Sequence, residues 1–153
     1  MRRLLVLAFA LFAASASAQS SRITGTWLTQ KGTAQVKVAP CADPAQGPLC
    51  GVVVALINPK NESGQVVAPE AVTDSHNPDP ALRSRKMIGV ALFWGFKATS
   101  NPNTFEDGKI YNGENGKTYS ANVSLQADGK LRLRGFVGSP MFGETQLWTR
   151  VSQ

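Results

Sequence analysis

Three groups of side chains in this chain are of types that carry chemistry. The first is Asp74-Ser75-His76-Asn77-Pro78-Asp79, which gathers two carboxylates, an imidazole and an amide in one short stretch. Such groups act as acids and bases, or ligate a hard cation. Two carboxylates and one imidazole on a Pro-broken loop are too few for a metal, so no metal site is assigned. The plainer reading is an Asx-type turn, with Asp74 and Asn77 bonding nearby backbone amides and Asp79 capping a short helix. Arg83, one helical turn beyond Asp79, would add an ion pair worth about 0.3 kcal/mol.

The second group is Tyr111, Lys117 and Tyr119. Two phenols and an ammonium would line a polar site for an anionic or glycan-like ligand, or pack across strands with Lys117 in water. Tyr111 and Tyr119 flank a turn, which makes them expected neighbours across a hairpin. The third group is Lys130, Arg132 and Arg134, alternating with Leu131 and Leu133. Period two places the cations on one strand face and the leucines on the other. That face is either simply solvated or a basic stripe touching an anionic envelope component. No Gly-x-Ser-x-Gly elbow occurs and His76 is the one histidine, so no catalytic residue and no cofactor is assigned.

The elements that must position these groups begin after residue 18. Arg2 and Arg3 precede an apolar run from Leu4 to Ala14, and Ala16-Ser17-Ala18 comes next. A basic start, an apolar middle and small residues before a cut make a secretory signal peptide over 1–18, cleaved near Ala18. The run falls short of the ~20 apolar residues of a spanning helix, so no transmembrane segment is expected. The expected mature chain, 19–153, is a single domain, periplasmic or secreted, of bacterial type. It holds fourteen basic and ten acidic residues, a net +4. That excess is too small for a nucleic-acid footprint. Its two cysteines, Cys41 and Cys50, can pair in an oxidising compartment. Closing so short a loop contributes about 2.5–3 kcal/mol in the chain-entropy account.

Short β-rich runs alternate with turn signals along the mature chain, the pattern of an all-β barrel or sandwich. The strands expected are Ile23–Thr29, Ala34–Val38, Gly51–Ile57, Met87–Lys97, Lys109–Tyr111, Thr118–Leu125, Lys130–Val137 and Glu144–Val151. Asn115-Gly116 and Asp128-Gly129 accept the positive φ of tight hairpin turns. They define an antiparallel meander from Lys109 to Val137. The middle, Asn58 to Arg85, breaks the pattern with loop composition. There Asp79 and Pro80 would start one short helix of about two turns through Met87.

Gly25-Thr26-Trp27 near the front and Trp148-Thr149-Arg150 near the back resemble the closure signature of lipocalin-type barrels. In those barrels the arginine lies over the tryptophan ring, a contact worth about 0.5–2 kcal/mol. First and last strands meet when an antiparallel sheet closes and so removes its edges. The expected fold is therefore a single small antiparallel β-barrel of about eight strands, lipocalin-like, with a flattened sandwich as the alternative. A wider resemblance runs through Leu49-Cys50-Gly51, Asn77-Pro78, Arg83-Ser84-Arg85, Gly108-Lys109-Ile110-Tyr111-Asn112, Gly116-Lys117-Thr118-Tyr119-Ser120-Ala121, Leu131-Arg132-Leu133-Arg134-Gly135 and Gln146-Leu147-Trp148-Thr149-Arg150. With these residues the chain resembles the small exported bacterial proteins catalogued as domain of unknown function 2147. Phe105 and Gly113 depart from that pattern, where Trp and Pro are usual. The resemblance implies an exported β-rich domain and carries over no catalytic role.

Three functions fit such a sequence. The first is a non-enzymatic module that binds a small apolar or amphiphilic ligand, in a pocket lined by Trp94, Phe96, Tyr111, Tyr119 and Phe136, with Lys117, Asp74 and Arg83 as polar contacts. The second is an envelope protein acting through the Lys130/Arg132/Arg134 stripe. The third is an enzyme with Asp74 and His76 as acid and base and Tyr119 with Lys117 as electrophilic support, which requires these groups in one cleft.

Overall fold

The structure is a computed structural model and describes residues 22–153; the leader expected over 1–18 lies outside them. Its strands are β1 (Gly25–Leu28), β2 (Ala34–Ala39), β3 (Cys50–Leu56), β4 (Ala91–Trp94), β5 (Lys97–Ala98), β6 (Thr104–Asn112), β7 (Lys117–Leu125), β8 (Leu131–Phe136) and β9 (Gly143–Ser152). β4 and β5 both pair with β6 and are halves of one strand bent at Gly95, whose φ of 76° suits a residue without Cβ. Every strand is antiparallel to its neighbour in sequence, and β1 pairs with β9. The result is a closed eight-stranded up-and-down barrel with a lipocalin-like course.

Alternation makes this barrel. Trp27, Val36, Val38, Val53, Phe93, Phe105, Ala121, Val123, Leu131, Leu133 and Trp148 are buried, and they recur at every second position of their strands because successive side chains take opposite faces. Burying one such Trp or Phe contributes about 1.5–3 kcal/mol. Phe93 and Phe96 meet edge to face, centroids 5.6 Å apart. Arg150 stacks its guanidinium 4.2 Å from the Trp27 ring centre and donates to the carbonyls of Thr24, at 2.7 Å, and of Arg22. Trp27 Nε1 in turn donates to the Ile23 carbonyl at 2.9 Å. First and last strands are thus fastened where they meet.

In an up-and-down barrel alternate connections share an end. The β2–β3, β5–β6 and β7–β8 connections lie at the end closed by Trp27 and Arg150. The Cys41–Cys50 disulfide, with Cα atoms 4.9 Å apart, clips the first of these. Gln46, in a 3-10 turn over Pro44–Gln46, accepts from the Gly95 N–H at 2.7 Å, which ties this loop to the bend between β4 and β5. The β1–β2, β3–β4, β6–β7 and β8–β9 connections surround the opposite end, the mouth.

Two local expectations are corrected. The short helix after Asp79 is a single 3-10 turn, Pro80–Leu82; the chain then turns back so that Lys86 bridges to Thr73, which leaves no length for a second turn. The strand placed at Lys109–Tyr111 extends back to Thr104. Its polar first half, Glu106 and Asp107, sits at a register irregularity opposite β7, which disguises the alternation.

Candidate functional site

Inward-facing residues of β8 and β9 pair in a ladder: Leu131 with Trp148, Leu133 with Gln146, Gly135 with Glu144. The first rung is buried core, and the last lies toward the mouth. There the interior opens into a cavity of about 360 Å3, lined by Ile110, Tyr119, Leu133, Phe136, Phe142 and Gln146, among others. Gly135 is what keeps it open. It faces inward, paired with Ala121 and Glu144, and a Cβ there would meet only Ile110 Cγ2 at 3.5 Å. Its backbone is not in the left-handed region, so no turn requires a glycine at this position.

Polar groups at the mouth are held in set orientations. Gln146 Oε1 accepts from Trp148 Nε1 at 2.9 Å, and among the described residues the amide donors of Gln146 are left unengaged. Asn115 Nδ2 donates to the Tyr119 hydroxyl at 3.0 Å, so the phenolic O–H is oriented and still available as a donor. The rim is uneven. Lys31 on the β1–β2 turn reaches Glu114 on the β6–β7 turn at 3.0 Å, while the β8–β9 connection exposes Val137, Met141 and Phe142. That connection is pinned by Arg134, which donates to the Pro140 carbonyl at 2.8 Å, to Thr145 Oγ1 at 3.0 Å and to the Met141 carbonyl at 3.4 Å.

A second concentration of polar groups lies on the outer wall. Tyr111 pairs with Thr118, whereas Ile110 and Tyr119 pair on the inward face; Tyr111 therefore points outward, and it is buried because the β3–β4 connection lies over it. Its hydroxyl donates to Asp74 Oδ1 at 2.5 Å. Asp74 Oδ2 accepts from Asn77 Nδ2 at 2.8 Å and from Arg85 at 2.8 and 2.9 Å. Asp74 is only 1 % exposed. Burial raises its pKa, but hydrogen bonds from Tyr111, Asn77 and Arg85 and the Arg85 charge outweigh that and hold it below the usual 3.8. Tyr111 is pushed up to about 12, first by burial and then by the carboxylate it bonds. Gly116 allows the loop to settle: a Cβ there would lie 1.9 Å from the His76 carbonyl oxygen. Beside this clamp is a shallow cleft of about 320 Å3 lined by Gln46, Arg85, Trp94, Tyr111 and Thr118, among others.

The residues singled out by sequence thus fall in several places. Tyr119 and Phe136 line the mouth cavity. Trp94 and Tyr111 line the outer cleft with Asn77. Phe96 is a core ring filling the space above Gly108. Lys117 is exposed at the start of β7. Asp79 caps Ala81 and Asn77 Oδ1 accepts from the Asp79 N–H, the Asx geometry expected. Asp74 departs from it, since its carboxylate bonds side chains instead of the backbone. Arg83 donates to the Asn77 carbonyl at 2.8 Å; the Asp79 carboxylate is occupied at the cap. Tyr111 and Tyr119 do not face each other, because their strand positions differ in parity. Of the candidate catalytic set, Asp74 and His76 stay together on the loop over the outer wall, with His76 exposed, whereas Tyr119 lies on the inner face. Acid–base and electrophilic groups are thus split between the two faces of the wall.

Sequence reasoning misses Gly135, Gln146, Glu144 and Phe142. The available signal is the period-two series Glu144, Gln146, Trp148, Arg150 on the last strand, which hides an inward face because most of its members are polar. It also misses Arg85 as a partner of Asp74, because eleven residues separate them and the intervening turn must fold first. Among the described residues no group of three His, Cys, Asp or Glu side chains could hold a metal. No helix among them is long and apolar enough to cross a membrane.

Comparison with known proteins agrees with this architecture. Residues 25–150 match the family described as an uncharacterised protein conserved in bacteria, DUF2147. Among solved structures the fold is similar to that of protein HP1028 from Helicobacter pylori, described as belonging to the lipocalin family. The TM-score is 0.66 at 22% identity, over 85% of this chain and 83% of that one. No curated protein matches the chain. The likeness to HP1028 concerns the fold alone, and the disulfide together with a bacterial family suggests export. With a barrel fastened by Trp27 and Arg150 and a match that spans nearly all of the described strands, the chain belongs to the DUF2147 family.

Proposed function

We propose that the protein is a non-enzymatic, exported binding module that takes a small apolar or amphiphilic molecule into the mouth of its barrel. The observation that carries this reading is the cavity kept open by Gly135. Its volume of about 360 Å3 falls in the range of roughly 300–1,000 Å3 usual for small-molecule sites. Apolar and aromatic walls with a few oriented donors suit a ligand that is greasy along its length and polar at one end. The outer-wall cluster supports catalysis less well, because both carboxylate oxygens of Asp74 are engaged and the electrophilic support, Tyr119 with Lys117, stands on the other face of the wall. The basic stripe supports a surface role less well, since Arg134 and Arg132 turn toward Thr145 and the β8–β9 connection.

The test is native mass spectrometry of protein taken from its exported compartment, beside a Gly135→Leu variant whose side chain would fill the cavity. Added mass on the wild type that is absent from the folded variant is the expected result. Equal added mass on both places the ligand elsewhere and overturns the reading. A wild type that carries nothing, and binds no apolar fluorescent probe at the mouth, overturns it as well.

A further inference from the structure

We infer that the mouth selects amphiphiles with a cationic head, and that Glu144 is the residue that reads the charge. The inference rests on the mouth being the binding site. Glu144 is the one charged side chain among the residues lining the cavity. It forms no ion pair among the described residues, where the pairs are Lys31 with Glu114, Arg85 with Asp74 and Lys97 with Asp107. Its position opposite Gly135 means that no side chain from β8 stands between the carboxylate and the cavity.

The surroundings favour the same sign. Tyr119, Phe136 and Phe142 line the cavity with Glu144, and aromatic faces attract organic cations. Lys117 shares the strand face of Tyr119 but stands beyond it at the rim and is not part of the lining. Lys31, also at the rim, is paired with Glu114. The chain as a whole carries a net positive charge, whereas the cavity lining contributes one negative side chain, Glu144, and no positive one. A net charge of that sign would draw anions to the exterior in general, whereas Glu144, itself exposed, offers a cationic head its partner at the mouth while the tail enters the cavity.

The experiment compares three probes with one tail: octyltrimethylammonium, octyl sulfate and octyl glucoside, each below its micelle concentration, titrated into the full exported chain by calorimetry. The ammonium probe should bind at least ten-fold more tightly than the sulfate, with the glucoside between them. Glu144→Gln should bring the three affinities within about two-fold of one another and leave that for octyl glucoside unchanged, and added salt should shrink the wild-type preference. Equal or tighter binding of the sulfate overturns the charge selection while leaving the mouth as the site. So does a preference that survives Glu144→Gln. Binding of any probe that persists in Gly135→Leu, or binding of none to the wild type, overturns the mouth as the site and the inference with it.

Discussion

The two halves of the barrel interior use the same residue for opposite ends. In the closed half, Gly51 and Gly108 vacate space that the chain itself fills: a Cβ at either would lie 2.4 Å from a ring atom of Phe93 or Phe96. In the mouth half, Gly135 vacates space that no side chain takes. A packed interior approaches the density of an organic crystal, and the closed half conforms to that with Trp27, Trp148, Phe93, Phe96 and Phe105. The lesson is that a glycine on an inward strand position has no fixed meaning. What faces it decides whether it serves packing or leaves room for a guest.

That contrast breaks if the three glycines respond alike to a methyl group. Gly108→Ala and Gly51→Ala drive Cβ into rings with no room to retreat, an overpacking that costs about 3 kcal/mol. Gly135→Ala makes only ordinary contact and is expected to change stability by less than about 1 kcal/mol. Denaturant midpoints at unchanged slope measure both. Comparable losses at Gly108 and Gly135 would mean that the mouth is as tightly filled as the closed end.

The outer clamp sharpens the comparison from a different side, because its polar groups are as fully engaged as the mouth's are not. Tyr111→Phe removes one donor from a buried carboxylate and should cost about 2 kcal/mol while leaving probe binding at the mouth unchanged. The clamp also sets the pH range. Tyr111 is neutral in the fold and its pKa is raised, so its contribution is complete below the ordinary value of 10.0 and is lost as pH rises from there toward about 12. Asp74 is lowered, so its contribution is complete above the ordinary 3.8 and is lost as pH falls below that. Wild-type stability should therefore fall at both extremes. Tyr111→Phe should flatten the alkaline limb, and a limb unchanged in that variant would show that some other group titrates there.

How much of this is legible in the sequence depends on distance along the chain. Hairpins between neighbours are readable: Asn115-Gly116 and Asp128-Gly129 announce β6–β7–β8, and the Trp27 and Arg150 pair announces closure, since both rest on local turn chemistry or on the ends of one sheet. The direction of Tyr111 is not readable. A buried tyrosine at an outward position makes sense only once the β3–β4 connection is known to lie over it. The mouth is half readable. Tyr119 and Phe136 stand out as aromatics, but Gly135 and Gln146 carry no signal until the register shows that they face one cavity.

The smallest expected effect concerns the rim. Lys31 and Glu114 join the β1–β2 and β6–β7 turns across the mouth, yet their side chains are 63% and 71% exposed. A pair so solvated contributes about 0.5 kcal/mol or less, so Lys31→Met should barely move the denaturant midpoint. Its value lies in what it does to binding. If the rim pair serves only to neutralise Lys31, removing that ammonium leaves Glu114 as a second unpaired carboxylate at the mouth. The preference for octyltrimethylammonium over octyl sulfate should then rise about two- to three-fold at low salt and return to the wild-type value at high salt. A preference that falls instead would mean that Glu114 competes with Glu144 for the cation at the rim.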